Sequence, residues 1–389
     1  QLVLKQFKER GVFMTNLLEE LKNVLEINGL MRKEISLKES YEKAVKIPEV
    51  LKILDLELPP ITDLSEILGL EPISVMAIRM DLNKNVNNHK KFVIAGLILR
   101  GVLIGFIPSK KRDTLIDGGN FNSAQALKFY AKRFGMKGMY IMSYLFPDHI
   151  VNLLEGDGFT VIRVPHRHKY DKAREREFYE FLYQKMRETE FGRNKFCLWH
   201  AKHGGMVEYP FGKELAKKVL ASINCNCSVS CLGAGSTLEG IQIPIQDYFA
   251  ENGLIPPKIF IAEHELSPLF TKIMDKMEIS RNVIPPIADK DKECFIHTEL
   301  PHLVIGPHYD EINPLLSRES IERIGAVIQY SEDDWQATQA RLKNYEVSVG
   351  NSSAANISVA WRLARQGYKV LTIIFEPFRE FLKEEPSKI

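Results

Sequence analysis

The sequence predicts an α/β protein with mainly parallel sheets and helices on both sheet faces. From about residue 75 onward, short apolar runs alternate with longer helical stretches, the signature of strand–helix–strand units. The alternation continues to Val370–Phe375, a span of roughly three hundred residues, so two three-layer αβα domains are expected. The length of 389 residues suits that division.

The first seventy residues have a different character. Leu17, Leu18, Leu21, Val24 and Leu25 repeat at helical spacing, and a polar helical region continues to about Leu58. Pro59-Pro60 stops it, because proline cannot continue a helix interior. Residues 1–70 read as an N-terminal helical extension packed on the main body. The strand candidates that follow are Ser74–Met80, Thr114–Asp117, Met139–Ser143, Thr160–Val164, Cys227–Leu232, Lys258–Ala262, His302–Ile305 and Val370–Phe375. Helical patterns lie over Ser123–Phe134, Asp171–Glu188, Lys213–Ser222, Thr237–Glu251 and Ala354–Gln366. Gly204-Gly205 and Pro210 punctuate the chain, which sets a smaller α/β domain at 71–205 and a larger one at 206–389.

Composition excludes several classes. Lys and Arg number 52 against 50 Asp and Glu, so there is no electrostatic footprint for nucleic acid or an acidic membrane surface. The longest apolar stretch, Phe92 to Pro108, is broken by Arg100 and three glycines, and no transmembrane helix is expected. No basic start followed by an apolar run marks a secretory signal. Five cysteines in this length read as reduced thiols of a cytoplasmic protein.

Four segments can carry chemistry. Gly233-Ala234-Gly235-Ser236-Thr237 links an apolar strand to a helical pattern; its backbone N–H groups and two hydroxyls can converge on a phosphate. It lacks the Lys of a Walker loop and the spacing of the dinucleotide fingerprint. His89-Lys90-Lys91 opens an apolar helix, where a lysine crowded by positive charge becomes a better nucleophile or Schiff-base former. Asp117-Gly118-Gly119-Asn120-Phe121-Asn122 runs from a strand end into a helix, and Gly350-Asn351-Ser352-Ser353 opens another. Strand ends of an open α/β sheet are where ligands usually bind. Cys225, Cys227 and Cys231 lack paired metal-site spacing and read as core thiols. His166, His168, His200 and His203 read as parts of solvated basic loops; no metal site is expected.

In this order the four segments resemble the pyridoxal-phosphate enzymes of the tryptophan synthase β-chain fold, which include cysteine synthase, cystathionine β-synthase, threonine deaminase and the aminocyclopropane-carboxylate deaminases. Arg79-Met80-Asp81-Leu82-Asn83 followed by His89-Lys90 is similar to the segment around the family's Schiff-base lysine. The resemblance spans roughly 75–380 and implies the following assignments. Lys90 binds pyridoxal 5′-phosphate; Asn120 lies over it; Gly233, Ala234, Gly235, Ser236 and Thr237 hold its phosphate. Ser352 faces the pyridine nitrogen, with Ser353 an adjacent alternative. Gly118, Gly119, Phe121 and Asn122 meet the substrate, and the cofactor sits in the cleft between the domains. Two positions depart from the pattern: Asn88 stands where a serine is usual, and Asp117 with Gly118 where hydroxyl residues hold the substrate carboxylate. An anionic Asp117 there would repel that carboxylate.

The implied activity is β-elimination or β-replacement on a serine-derived amino acid, through a Lys90 aldimine and an aminoacrylate. A deaminase or desulfhydrase of the same fold is the nearest alternative, and a non-catalytic binding protein on a degenerate fold is the alternative from another class. The implied partners are an amino-acid substrate and a second copy of the chain in a homodimer.

Overall fold

The computed structural model describes residues 17–32, 35–107, 113–143, 146–164, 195–233, 235–268, 270–271, 282–284 and 316–379. The expected strand at His302–Ile305, the helix at Asp171–Glu188, His166, His168 and Ala234 lie outside them.

Three helices come first, α1 (Leu17–Ile27), α2 (Leu37–Ala44) and α3 (Pro48–Ile53). The expected continuous helical region is thus broken in two, since Ser36 caps α2 and Pro48 opens α3 as its first residue. These helices bury Leu18, Leu21, Leu25, Tyr41, Val50 and Ile53 in the same core as the main body. Backbone carbonyls at their end are gripped from outside: Tyr130 donates to Leu54 O at 2.8 Å and Arg133 to Ile53 O at 2.8 Å.

Beyond them run β1 (Ile61–Asp63), β2 (Val75–Arg79), α4 (Lys90–Leu103), β3 (Thr114–Gly118), α5 (Phe121–Arg133), β4 (Lys137–Ser143), α6 (Asp148–Leu154), β5 (Phe159–Val164) and β6 (Lys195–Cys197). The second half contains α7 (His200–Ser222), β7 (Cys227–Cys231), α8 (Ile243–Glu251), β8 (Lys258–His264), β9 (Asn282–Ile284), α9 (Arg318–Glu322), β10 (Ile324–Tyr330), α10 (Glu332–Lys343), α11 (Asn351–Ala364) and β11 (Val370–Ile374). Two sheets form. One has seven strands in the order β1-β2-β11-β7-β8-β10-β9, the other four in the order β5-β4-β3-β6. Among the described residues every strand pairing in these sheets is parallel except that of β1 with β2. Central strands such as β7 and β11 are buried along their whole length, as a sheet covered on both faces requires.

Two boundaries shift. β2, on the small-domain side of residue 71, hydrogen-bonds to β11 and belongs to the seven-stranded sheet. Gly204, Gly205 and Pro210 lie inside α7, which runs unbroken from the end of the four-stranded sheet toward β7. Packing explains the glycines. A side chain on Gly212 would come within 2.1 Å of the Gly240 carbonyl, and one on Gly204 within 3.1 Å of Ser236. Small residues here permit close approach instead of ending the helix.

Candidate active site

The site is assembled from the C-terminal ends of parallel strands. β2 ends in a 3-10 turn over Met80–Leu82, where Arg79 donates to both oxygens of buried Asp81 at 2.9 and 2.7 Å. The chain then turns through Asn83–His89 and enters α4 at Lys90. Asn88, which replaces the usual serine, caps this entry: its side-chain oxygen accepts from Lys90 N at 2.9 Å while its amide donates to Gln125 at 3.0 Å. His89 N donates to Phe375 O at 3.0 Å, which fixes the segment to the end of β11.

The two lysines at this helix start have different fates. Lys91 is tied to Asp55 at 2.8 Å and to Lys84 O at 2.7 Å. Lys90 is 6% exposed, and its amine makes no hydrogen bond or ion pair among the described residues. Burial pulls that amine below its ordinary pKa, against the opposing charges of Glu208, Asp117 and Glu376. A buried amine with a depressed pKa is a better nucleophile than an exposed lysine.

Three acids therefore surround Lys90. Glu208 on α7 is 2% exposed, neither of its oxygens has a hydrogen-bond partner among the described residues, and burial pushes it up to about 8. Glu376 follows β11. It accepts from Asn122 at 3.1 Å and lies beside Ser353, and burial raises it to about 7 against the pull of Arg379. Asp117 closes β3 and is fully buried. It does not stand bare as the sequence suggested: His200 Nδ1 lies 3.0 Å from one of its oxygens. His200 is correspondingly buried at the start of α7, and the expectation of a solvated loop is corrected for it.

The asparagine loop follows β3. Gly119 has φ +140, a conformation reserved for glycine, and Asn120 caps α5. Tyr140 donates to Asn120 O at 3.0 Å and holds the loop against β4. The glycine-rich loop follows β7: Gly235 has φ +87, and Ser236 and Thr237 begin a helical turn that widens into a π-helix over Leu238–Gln242. The first amides of such a turn have no partner within it and present donors to an anion. Ser352 and Ser353 open α11 and divide in role. Ser353 is fully buried and its oxygen accepts from Phe375 N at 2.9 Å, whereas Ser352 is half-buried.

Contacts tie two of these segments to their neighbours. Cys231 Sγ reaches Ser352 O at 3.9 Å, and Glu376 joins Asn122 to Ser353. Glu208, His200 and Glu376 were not singled out from the sequence; only the His200-x-x-His203 pair drew notice, and it gave no sign of Asp117 as partner.

The fold matches solved structures. O-ureido-L-serine synthase superposes over 87% of this chain and 94% of its own, with TM-score 0.64 and 15% identity. The chain has the fold of that enzyme. The O-acetylserine dependent cystathionine beta-synthase from Helicobacter pylori covers 83% of this chain and 94% of its own, at TM-score 0.60 and 18% identity. A hydrogen sulfide-producing enzyme from Fusobacterium nucleatum covers 85% and 98%, at TM-score 0.62 and 12% identity. No family profile matches the sequence, and no curated protein does. The fold is thus the tryptophan synthase β-chain fold, fold type II among pyridoxal-phosphate enzymes, as the four motifs implied. Among the described residues no helix is long and apolar enough to cross a membrane.

The residues present fit pyridoxal 5′-phosphate. The aldehyde calls for an amine such as Lys90, and the phosphate calls for converging amides such as those of the Gly235–Thr237 turn. The pyridine nitrogen accepts from a hydroxyl, and the half-buried Ser352 offers one that is not used in a structural bond among the described residues.

Proposed function

We propose that the chain binds pyridoxal 5′-phosphate through Lys90 and catalyses β-elimination or β-replacement on a serine-derived amino acid. The unpartnered, buried amine of Lys90 at the start of α4 carries this reading. When bound, the cofactor supplies an electron sink for the pair left at the substrate's Cα. The rest falls to the chain. Lys90, once released by the incoming amino group, is the base for the Cα proton, and its depressed pKa keeps it competent to accept one. Gly233, Ala234, Gly235, Ser236 and Thr237 anchor the phosphate, and Asn120 lies over the ring. Ser352, a hydroxyl and not a carboxylate, leaves the pyridine nitrogen unprotonated, which favours chemistry at Cβ over transamination. Gly118, Gly119, Phe121 and Asn122 border the substrate.

Visible absorbance tests the reading most directly. The purified chain incubated with pyridoxal 5′-phosphate turns yellow, and borohydride fixes the cofactor on the peptide bearing Lys90. Lys90→Ala abolishes that fixation. A colourless protein, as a non-catalytic relative would give, or an adduct on another lysine, overturns the assignment. The resemblance also supports a homodimer, which sedimentation at micromolar concentration checks. Among the described residues Cys225, Cys227 and Cys231 form no disulfide, which supports a reducing, cytoplasmic setting.

A further inference from the structure

Asp117 and His200 are built together with more care than a helix start needs. His200 Nδ1 is 3.0 Å from Asp117 Oδ2, and the His200 backbone N–H reaches both carboxylate oxygens at 3.4 and 3.3 Å. Gly118 N–H donates to Oδ1 at 2.8 Å. These donors give a fully buried carboxylate partners on both oxygens. Trp199, just before, has φ 50 and ψ 60, a left-handed conformation that a bulky residue holds only when its surroundings impose it. That turn is what brings the first residue of α7 onto Asp117. The imidazole then lies over the asparagine loop: a side chain on Gly119 would meet His200 Cε1 at 3.1 Å.

With Nδ1–H committed to Asp117, Nε2 is the nitrogen left to exchange a proton, the division of labour that lets a carboxylate orient a catalytic histidine. His89 is unsuited to the task. Burial, then the charges of Lys90 and His200, hold it well below its ordinary pKa, and its ring lies 4.8 Å from that of Phe375. The loop that the imidazole overlies runs on to Asn122 and its 3.1 Å bond to Glu376, so the dyad sits against the loop proposed to cover the cofactor.

We propose that His200, oriented by Asp117, gives the proton to the substrate's leaving group, and that the substrate is therefore a β-hydroxy amino acid with an unactivated oxygen. This rests on the Lys90-bound cofactor proposed above. In the step, Lys90 takes the Cα proton and the Cα–H electron pair becomes the Cα–Cβ double bond. The Cβ–O bond breaks with its pair on oxygen, and the His200 proton turns that oxygen into water. One water leaves, Lys90 carries the proton that came from Cα, and exchange with solvent resets both residues. A hydroxyl needs such help because water has a pKa of about 15.7. An acyloxy group departs as a carboxylate, whose pKa is near ~4, and needs little.

The test compares the cofactor-loaded chain on L-serine and on O-acetyl-L-serine, reading keto-acid release. His200→Gln raises the ratio of acetylserine to serine turnover about 100-fold or more over the unsubstituted chain, the scale of a lost general acid. Asp117→Asn moves the ratio the same way by less, because it disturbs orientation and not the donor. Asp117→Asn also decides the matter if His200→Gln fails to take up cofactor. A ratio unmoved in both variants, or an unsubstituted chain inert to serine, overturns the proposal while leaving Lys90 intact. A chain that takes up no cofactor overturns the reading beneath it instead.

Discussion

Ser352 and Ser353 are indistinguishable in sequence, yet only one is free to serve a ligand. Ser353 Oγ accepts from Phe375 N at 2.9 Å and from Glu376 N at 3.4 Å, all in the buried interior. Ser353→Ala strands those amides and is expected to cost about 1–3 kcal/mol in urea unfolding. Ser352→Ala is expected to leave stability within about 0.5 kcal/mol, as a substitution away from structural bonds does. Equal losses in the two variants would contradict the division. Lys90 drew notice because an amine beside a helix start is a recognisable type, and the structure shows it buried. Glu208 and Glu376 were not, since a buried acid looks like any surface acid until the fold brings it to the lysine. Asp117 was noticed for the right reason, its charge, but its partner lies 83 positions away.

Elements were legible where apolar runs are uninterrupted. β2, β4, β5, β7, β8 and β11 all fall within three residues of the expected strands. β10 escaped notice because Gly325 and Gln329 interrupt its apolar pattern on the exposed and half-buried positions. β6 and β1 are only three residues long, below what periodicity can reveal. The π-helix at Leu238–Gln242 and α7 meet in a contact so close that glycine is required on both sides. Gly212→Ala sets its new methyl against the Gly240 carbonyl, and a backbone atom cannot rotate away. The expected loss is about 1–3 kcal/mol, the range for overpacking, with a matching fall in cofactor affinity because the same turn holds the phosphate loop. Wild-type stability in this variant would mean that the two helices part freely.

At the scale of the whole molecule, the two sheets are joined through buried ionisable groups, and pH follows from them. Burial raises Glu376 and Glu263 to about 7 each. An unfolded glutamate titrates near ~4.3, so between about pH 4 and 7 the unfolded chain ionises while the folded one resists. Stability from these groups is complete below that range and declines as pH rises through 7. Glu376→Gln keeps an acceptor for Asn122 but removes the titration, and the fall in urea midpoint between about pH 5 and 8 should become shallower. An unchanged slope would show that Glu376 is already ionised in the fold.

The place of β11 has a consequence for how the protein is made. The last strand sits between β2 and β7, pairing in parallel with both. Until Val370–Ile374 leaves the ribosome, β2 and β7 present open edges toward a slot that nothing earlier in the described chain fills. The four-stranded sheet has all its strands by Cys197 and can close during synthesis. The larger sheet must wait, holding residues almost three hundred positions apart in readiness for one short apolar segment. Loops of that length close slowly, and exposed edges recruit strangers meanwhile. The nascent chain is therefore vulnerable to aggregation at the larger sheet, and the arrival of its final strand ends that exposure.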